Sequence, residues 1–151
     1  VSVSFKTRAG TGAYGGGMAI TFNAIGIAVS DMARSLAFYR RLGLDIPAGA
    51  DSEPHVEVRL DGGTRLLFDT DDVIRSFDPG HDPEALTPGG GRLGLAFACD
   101  TPAAVDSAYA DLVASGCKSH LEPWDAFWGQ RYAVVYDPDG NSVDLYAPLA
   151  D

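Results

Sequence analysis

Few residues in this 151-residue chain are of a type and spacing suited to chemistry. His55 and His120 each open a His-x-Glu pair, with Glu57 and Glu122, while His81 lies in the loop-like Pro79-Gly80-His81-Asp82-Pro83. Residues two apart on a strand share a face, so either pair has the form of an acid-base or metal-binding couple. The two pairs sit at different stations relative to the patterns around them, which favours pocket-wall or solvated histidines over a shared ion. Cys99 and Cys117 are the only cysteines and lack a CxxC or Cys/His spacing, so neither a disulfide framework nor a zinc site is indicated. Cys99 alternates in phase with Leu95 and Phe97 and reads as core. Cys117 has Lys118 beside it, a neighbour that can lower a thiol pKa. There is no Gly-x-Ser-x-Gly elbow and no phosphate-binding loop with its lysine.

Recognition chemistry is better represented than reactive chemistry. Trp124, Phe127 and Trp128 crowd into what reads as one loop beside Asp125, and Tyr132, Tyr136 and Tyr146 follow at strand-like spacing. Aromatic faces near carboxylates suit a planar or cationic guest, a stacked cation being worth roughly 0.5–2 kcal/mol.

The elements that position these groups follow from periodicity. Ile25, Ile27 and Val29 alternate with Ala24, Gly26 and Ala28, predicting a strand with one apolar and one nearly bare face. Ser30-Asp31 then caps a helix with Met32, Leu36, Tyr39 and Leu42 on one stripe, stopped by Gly43. His55–Leu60 and Arg65–Asp69 flank the turn Asp61-Gly62-Gly63-Thr64 as a hairpin. The order then repeats. Leu93–Cys99 alternates with small residues, Asp100-Thr101-Pro102 opens a helix that Gly116 stops, and Arg131–Tyr136 and Asn141–Ala147 flank Asp137-Pro138-Asp139-Gly140. Superposing Gly63 on Gly140 also places Leu66-Leu67-Phe68 on Val143-Asp144-Leu145. The pattern predicts an α+β domain over residues 18–151, made of two β-α-β-β-β modules (about 20–70 and 92–149) whose curved mixed sheets share a cleft. A Gly/Pro-rich acidic linker, 70–91, joins them. Residues 1–17 differ in texture and read as an N-terminal extension ahead of Met18, or as an arm whose Val1, Val3 and Phe5 can add to a sheet edge.

Strand parity sorts the side chains. Ile25, Ile27, Val29, Val56, Val58, Leu60, Leu66, Phe68, Leu95, Phe97, Cys99, Ala133, Val135, Val143 and Leu145 are expected against the helices. The opposite parity puts His55, Glu57, Arg59, Arg65, Leu67, Tyr132, Val134, Tyr136, Ser142, Asp144 and Tyr146 toward the cleft, over a floor of Ala24, Gly26, Ala28, Gly94, Ala96 and Ala98 that leaves room for a wide cavity; of these His55, Glu57, Arg59, Arg65, Tyr132, Asp144 and Tyr146 carry the recognition groups. With Trp124, Phe127 and Trp128 these form the expected ligand-binding set.

Several of these pieces together resemble the vicinal oxygen chelate superfamily, which includes glyoxalase I, extradiol dioxygenases and bleomycin-resistance proteins. They are Ala24-Ile25-Gly26-Ile27-Ala28-Val29-Ser30-Asp31 leading to Ser35-Leu36-Ala37-Phe38-Tyr39, Leu42-Gly43-Leu44, Trp128-Gly129-Gln130-Arg131, and Asp137-Pro138-Asp139-Gly140-Asn141 before Val143-Asp144-Leu145. The resemblance runs from about Ile20 to Leu149 and names no activity. In metal-dependent members it implies His, Gln or Glu ligands at positions that here carry Ala24, Leu67, Gly94 and Asp144. Only Asp144 can donate, so the expectation is no metal and no cofactor.

Charge and composition fit a soluble domain. Lys plus Arg number 11 against 21 Asp plus Glu, giving −10, which repels nucleic acid and anionic membranes and favours a cationic ligand. No apolar run approaches the length of about 20 that a membrane span needs, and a reduced cytoplasmic protein is expected. The first functional expectation is a metal-independent protein that sequesters a bulky aromatic, cationic natural product, as bleomycin-resistance proteins do. The alternative is a lyase, isomerase or dioxygenase with an atypical metal site or none, in which Glu57, Asp144 or His55 would handle protons. The resemblance also implies a homodimer.

Overall fold

The computed structural model describes residues 22–85 and 93–149. The suggested arm at residues 1–17 and the glycine run at 89–91 lie outside them.

The chain forms two curved mixed sheets. In the first, β1 (Ala24–Val29) pairs in parallel with β3 (Arg65–Thr70), which pairs antiparallel with β2 (His55–Arg59). In the second, β4 (Gly94–Ala98) lies parallel to β7 (Ser142–Pro148), followed by antiparallel β6 (Gln130–Tyr136) and β5 (Lys118–Ala126). The helices α1 (Met32–Arg41) and α3 (Pro102–Ala114) follow the first strand of each module, and α2 (Asp71–Phe77) follows β3. The second module therefore has the full β-α-β-β-β order, while the first has three strands among the described residues. The acidic stretch after β3 is more than a linker: Thr70 caps α2 through its side chain, and Asp71 and Asp72 suit the positive end of that helix.

The local signals act as their chemistry requires. Asp31 accepts the Arg34 N–H and caps α1; Thr101 accepts the Ala104 N–H and caps α3, whose first turn holds Pro102. Gly43 and Gly116 take positive φ just past the two helices, where a side chain would be strained. The inward parity forms one core. Leu36 and Tyr39 from α1, Phe68 from β3, Val105 and Leu112 from α3, and Val135, Val143 and Leu145 from the second sheet are all buried in it.

Strand β5 corrects the expectation of a loop around Trp124. The segment Lys118–Ala126 is a nine-residue strand with register shifts between Ser119 and Leu121 and between Leu121 and Trp124. Each bulge shifts the alternation by one residue, so Lys118, Leu121 and Trp124 lie opposite Tyr136, Val134 and Tyr132 without a regular period of two. Proline at position 123 added to the disguise. Phe127 and Trp128 do lie in the tight connection to β6.

Candidate functional site

The sequence-selected residues divide between two surfaces. On the four-stranded sheet, register brings Trp124, Tyr132, Tyr146 and Ala98 into one row across β5, β6, β7 and β4. Tyr132 and Tyr146 stack with ring centroids 6.4 Å apart, and Trp124 and Trp128 meet Tyr132 edge-on at 5.3 and 5.4 Å. Trp128 is fixed at its polar end, its indole N–H donating to Gln130 Oε1 at 2.8 Å. Phe127 packs edge-on against Trp128 but is 96% exposed, and Trp128 itself is 49% exposed. Arg131, from the other parity of β6, reaches Asp106 of α3 at 2.8 Å and Asp125 of β5 at 3.0 Å. The aromatic turn is thus tied to the helical layer behind it.

Asp144 sits in the next row of the same face, opposite Val134 and Ala96. Tyr132 donates its hydroxyl to one carboxylate oxygen at 2.7 Å and Ser142 donates to the other at 3.4 Å. Burial, with the adjoining Asp144 carboxylate second, pushes the Tyr132 phenol up to about 12, so it remains a donor at neutral pH. The arrangement is a carboxylate at the edge of an aromatic platform. It can bind a cation while the rings supply contact area.

The other residues lie on the open face of the three-stranded sheet. Here His55 is opposite Asp69, Glu57 opposite Leu67, and Arg59 opposite Arg65. His55 Nδ1 is 2.6 Å from Asp69, and its Nε2 is 3.6 Å from Glu57. Arg65 binds Glu57 at 2.8 Å and also reaches Asn23. Hydrogen bonding to Asp69 raises the His55 pKa, against partial opposition from desolvation; the Arg65 guanidinium holds Glu57 below the usual range. Asp69 was absent from the sequence-derived set. It was legible in principle, because a hairpin closed at Gly62-Gly63 fixes Asp69 opposite His55.

A substantial open volume lies away from both surfaces. A cavity of about 750 Å³ sits where β1 and β4 approach, bounded by Gly26, Ala28, Gly94, Tyr39, Tyr136 and Lys118 among others. The small-residue floor thus borders a cavity as expected from Gly26, Ala28 and Gly94, but the aromatic row and the His55 row do not line it.

The four positions at which the resemblance implies metal ligands offer no set of donors. Ala24, Leu67 and Gly94 carry none, and Asp144 is already engaged by Tyr132 and Ser142. Among the described residues no group of three or more His, Cys, Asp or Glu side chains is placed to hold an ion. A resident metal does not fit these residues. Two other details differ from the sequence reading. His120 packs its ring 5.0 Å from Tyr136 on bulged β5, so its His-x-Glu spacing carries no strand-face meaning. Burial and then Asp137 push the Cys117 thiol up to about 11, opposite to the lowering expected from Lys118.

The two most distinctive sequence motifs touch one another. Tyr39 on α1 donates its hydroxyl to Asp137 at 2.8 Å in a buried contact, and Ser35, one turn earlier, donates to Asp139 at 3.1 Å. Ser30 also donates to Asp139, from both backbone and side chain, and Arg34 reaches the Pro138 carbonyl. Asp137 additionally accepts from the backbone of Asp139 and Asn141 and from the Asn141 side chain, closing the β6–β7 turn. Ser-Leu-Ala-Phe-Tyr and Asp-Pro-Asp-Gly-Asn are two halves of one junction between the modules. The family model for the glyoxalase/bleomycin resistance protein/dioxygenase superfamily matches residues 21–145, spanning both halves. The chain belongs to this superfamily. Its fold is similar to that of a glyoxalase/bleomycin resistance protein/dioxygenase family enzyme from Burkholderia phytofirmans PsJN, with TM-score 0.70 and 20% identity over 86% of this chain and 100% of that one. A protein of unknown function from Agrobacterium tumefaciens C58 is 28% identical, with TM-score 0.61, over 90% of this chain and 98% of that one. A lactoylglutathione lyase from Agrobacterium tumefaciens has TM-score 0.54 and 22% identity, covering 84% and 92%. No curated protein sequence matches the chain. In this superfamily member these motif residues hold the modules together, while the candidate binding residues lie on the two open faces.

Proposed function

We propose that the chain is a metal-independent binding protein of the glyoxalase/bleomycin resistance/dioxygenase superfamily that sequesters a bulky aromatic, cationic natural product in the cytoplasm. One observation carries the reading: Trp124, Trp128, Tyr132 and Tyr146 form a continuous aromatic platform with the Asp144 carboxylate at its edge, and Trp128 and Phe127 remain exposed. Tyrosines and tryptophans held by neighbouring rings and hydrogen bonds lose little further freedom when a ligand stacks on them. The chain's charge of −10 favours a cation over an anion at long range.

Tryptophan fluorescence titrated with a panel of aromatic antibiotics, cationic and neutral, tests this. Saturable quenching by cationic members is expected. Trp128→Ala removes up to about 200 Å² of contact surface and should weaken binding by about 2 kcal/mol. Asp144→Asn should weaken cationic ligands more than neutral ones, and added salt should narrow that difference. Absence of quenching across the panel, or binding indifferent to Trp128→Ala, overturns the proposal.

A further inference from the structure

The aromatic platform leaves the open face of the three-stranded sheet without a role, and that face carries a different kind of chemistry. His55 and Asp69 are cross-strand partners, and Asp69 Oδ1 accepts from His55 Nδ1 at 2.6 Å. A carboxylate on Nδ1 fixes the imidazole tautomer and leaves Nε2 as the proton acceptor. Nε2 is turned away from Asp69, and the nearest charged atom to it is Glu57 Oε1 at 3.6 Å, beyond good hydrogen-bond length. The ring is 43% exposed, so a reactant can approach it. Beside this pair the face is low: Ala28 lies next to Asp69 in register, Gly26 lies next to Leu67, and a Cβ added at Gly26 would meet nothing within 4 Å.

Arg59 completes the set. Arg65, its cross-strand neighbour, is bound by Glu57 and Asn23, whereas Arg59 is exposed and has no hydrogen-bonding or charged partner among the described residues. Among the described residues it is the cation on this face left to take up negative charge.

We propose that His55, positioned by Asp69, is a general base on the first sheet, acting on a planar carbon acid seated over Leu67 and Gly26 whose conjugate base is met by Arg59. In the step, the C–H bond of the reactant breaks, its proton moves to Nε2, and its electron pair stays with the reactant, which becomes the anion facing Arg59. His55 then returns the proton to solvent or to the product. The hydrogen bond that His55 donates to Asp69 supports this role by raising the basicity of the imidazole. The charged groups on the strands around His55 are Glu57 and Arg59 from β2 and Asp69 and Arg65 from β3, while β1 contributes Ala24, Gly26 and Ala28 and no charge; α2, packed against β1 and β3, carries Asp71, bound to His81, with Asp72 and Arg75. Asp69 is a positioning residue, because it acts through the imidazole.

The probe is 5-nitrobenzisoxazole, a planar aromatic carbon acid. Removal of its C–H proton by a base forms a nitrile and breaks the N–O bond, releasing a coloured phenolate, so no oxidant or second reactant is needed. The full chain should turn it over faster than free imidazole at the same concentration, with a rate that rises with pH through a value above 6.5. His55→Gln should lower the rate at least tenfold. Asp69→Asn should shift the pH profile and the NMR titration of His55 downward together, and Arg59→Gln should lower the rate while leaving that titration in place. All three side chains are partly exposed, and circular dichroism checks that the variants fold. A rate no greater than that of free imidazole, a rate indifferent to His55→Gln, or a His55 titration unmoved by Asp69→Asn overturns the proposal.

Discussion

Tyr39→Phe deletes one oxygen, yet it should cost more stability than the loss of any surface ion pair. Its hydroxyl is a buried donor to Asp137, and burial together with the Asp137 carboxylate holds that phenol far above its ordinary pKa. Removing a donor from a buried carboxylate costs about 1–3 kcal/mol, although Asp137 keeps its bonds to the Asp139 and Asn141 backbone. Urea unfolding should show a lowered midpoint with unchanged slope. The exposed Arg41–Asp111 bridge, at 2.9 Å, should contribute no more than about 1 kcal/mol on removal. His55 gives the fold a pH dependence of known sign. Its folded pKa is raised, so the stability it contributes is fully present below 6.5, its unperturbed value, and is lost as pH rises through the higher folded value. Asp69→Asn should flatten that part of the pH–stability curve, which urea midpoints at several pH values would reveal.

At the scale of elements, the sequence was legible wherever a strand stayed regular and a helix carried its own punctuation. The alternation of Ile25, Ile27 and Val29 identified β1 and its buried face, and Asp31 with Gly43 bounded α1. Strand β5 escaped because two bulges broke the period that would have revealed it, and α2 because seven residues are too few for a clear stripe. Turn chemistry gives this scale its own prediction. Gly129 lies just before β6 at φ +89°, and an added Cβ would meet nothing within 4 Å. Gly129→Ala therefore carries only the conformational penalty, about 1–2 kcal/mol, and should also disturb the seating of Trp128. Thermal unfolding and the tryptophan emission maximum should change together; an emission shift without loss of stability would contradict the turn's assignment as strained for any other residue.

For the whole molecule, parity placed each candidate on a face but not the faces relative to one another. Sheet register is a local property, whereas the angle between modules depends on long-range contacts such as Ser35 and Tyr39 with the Asp137–Asp139 turn, whose two halves lie about a hundred residues apart. The residues exposed by that arrangement bear on assembly. Phe127 is 96% exposed, Leu93 82%, Phe22 72% and Phe77 69%, and apolar surface of this kind is removed from water by self-association when it is contiguous across a two-fold axis. We expect a homodimer, read by light scattering as twice the monomer mass at micromolar concentration. Each chain carries −10, so added salt should strengthen the dimer by screening self-repulsion while it weakens the binding of a cationic ligand. The opposed salt responses separate the two roles open to Phe127. Phe127→Asp should produce a folded monomer if its ring is covered by a second copy, and should leave the dimer intact while reducing aromatic quenching if its ring is covered by ligand. A monomeric parent at every salt concentration would refute the assembly and leave the exposed phenylalanine to the ligand alone.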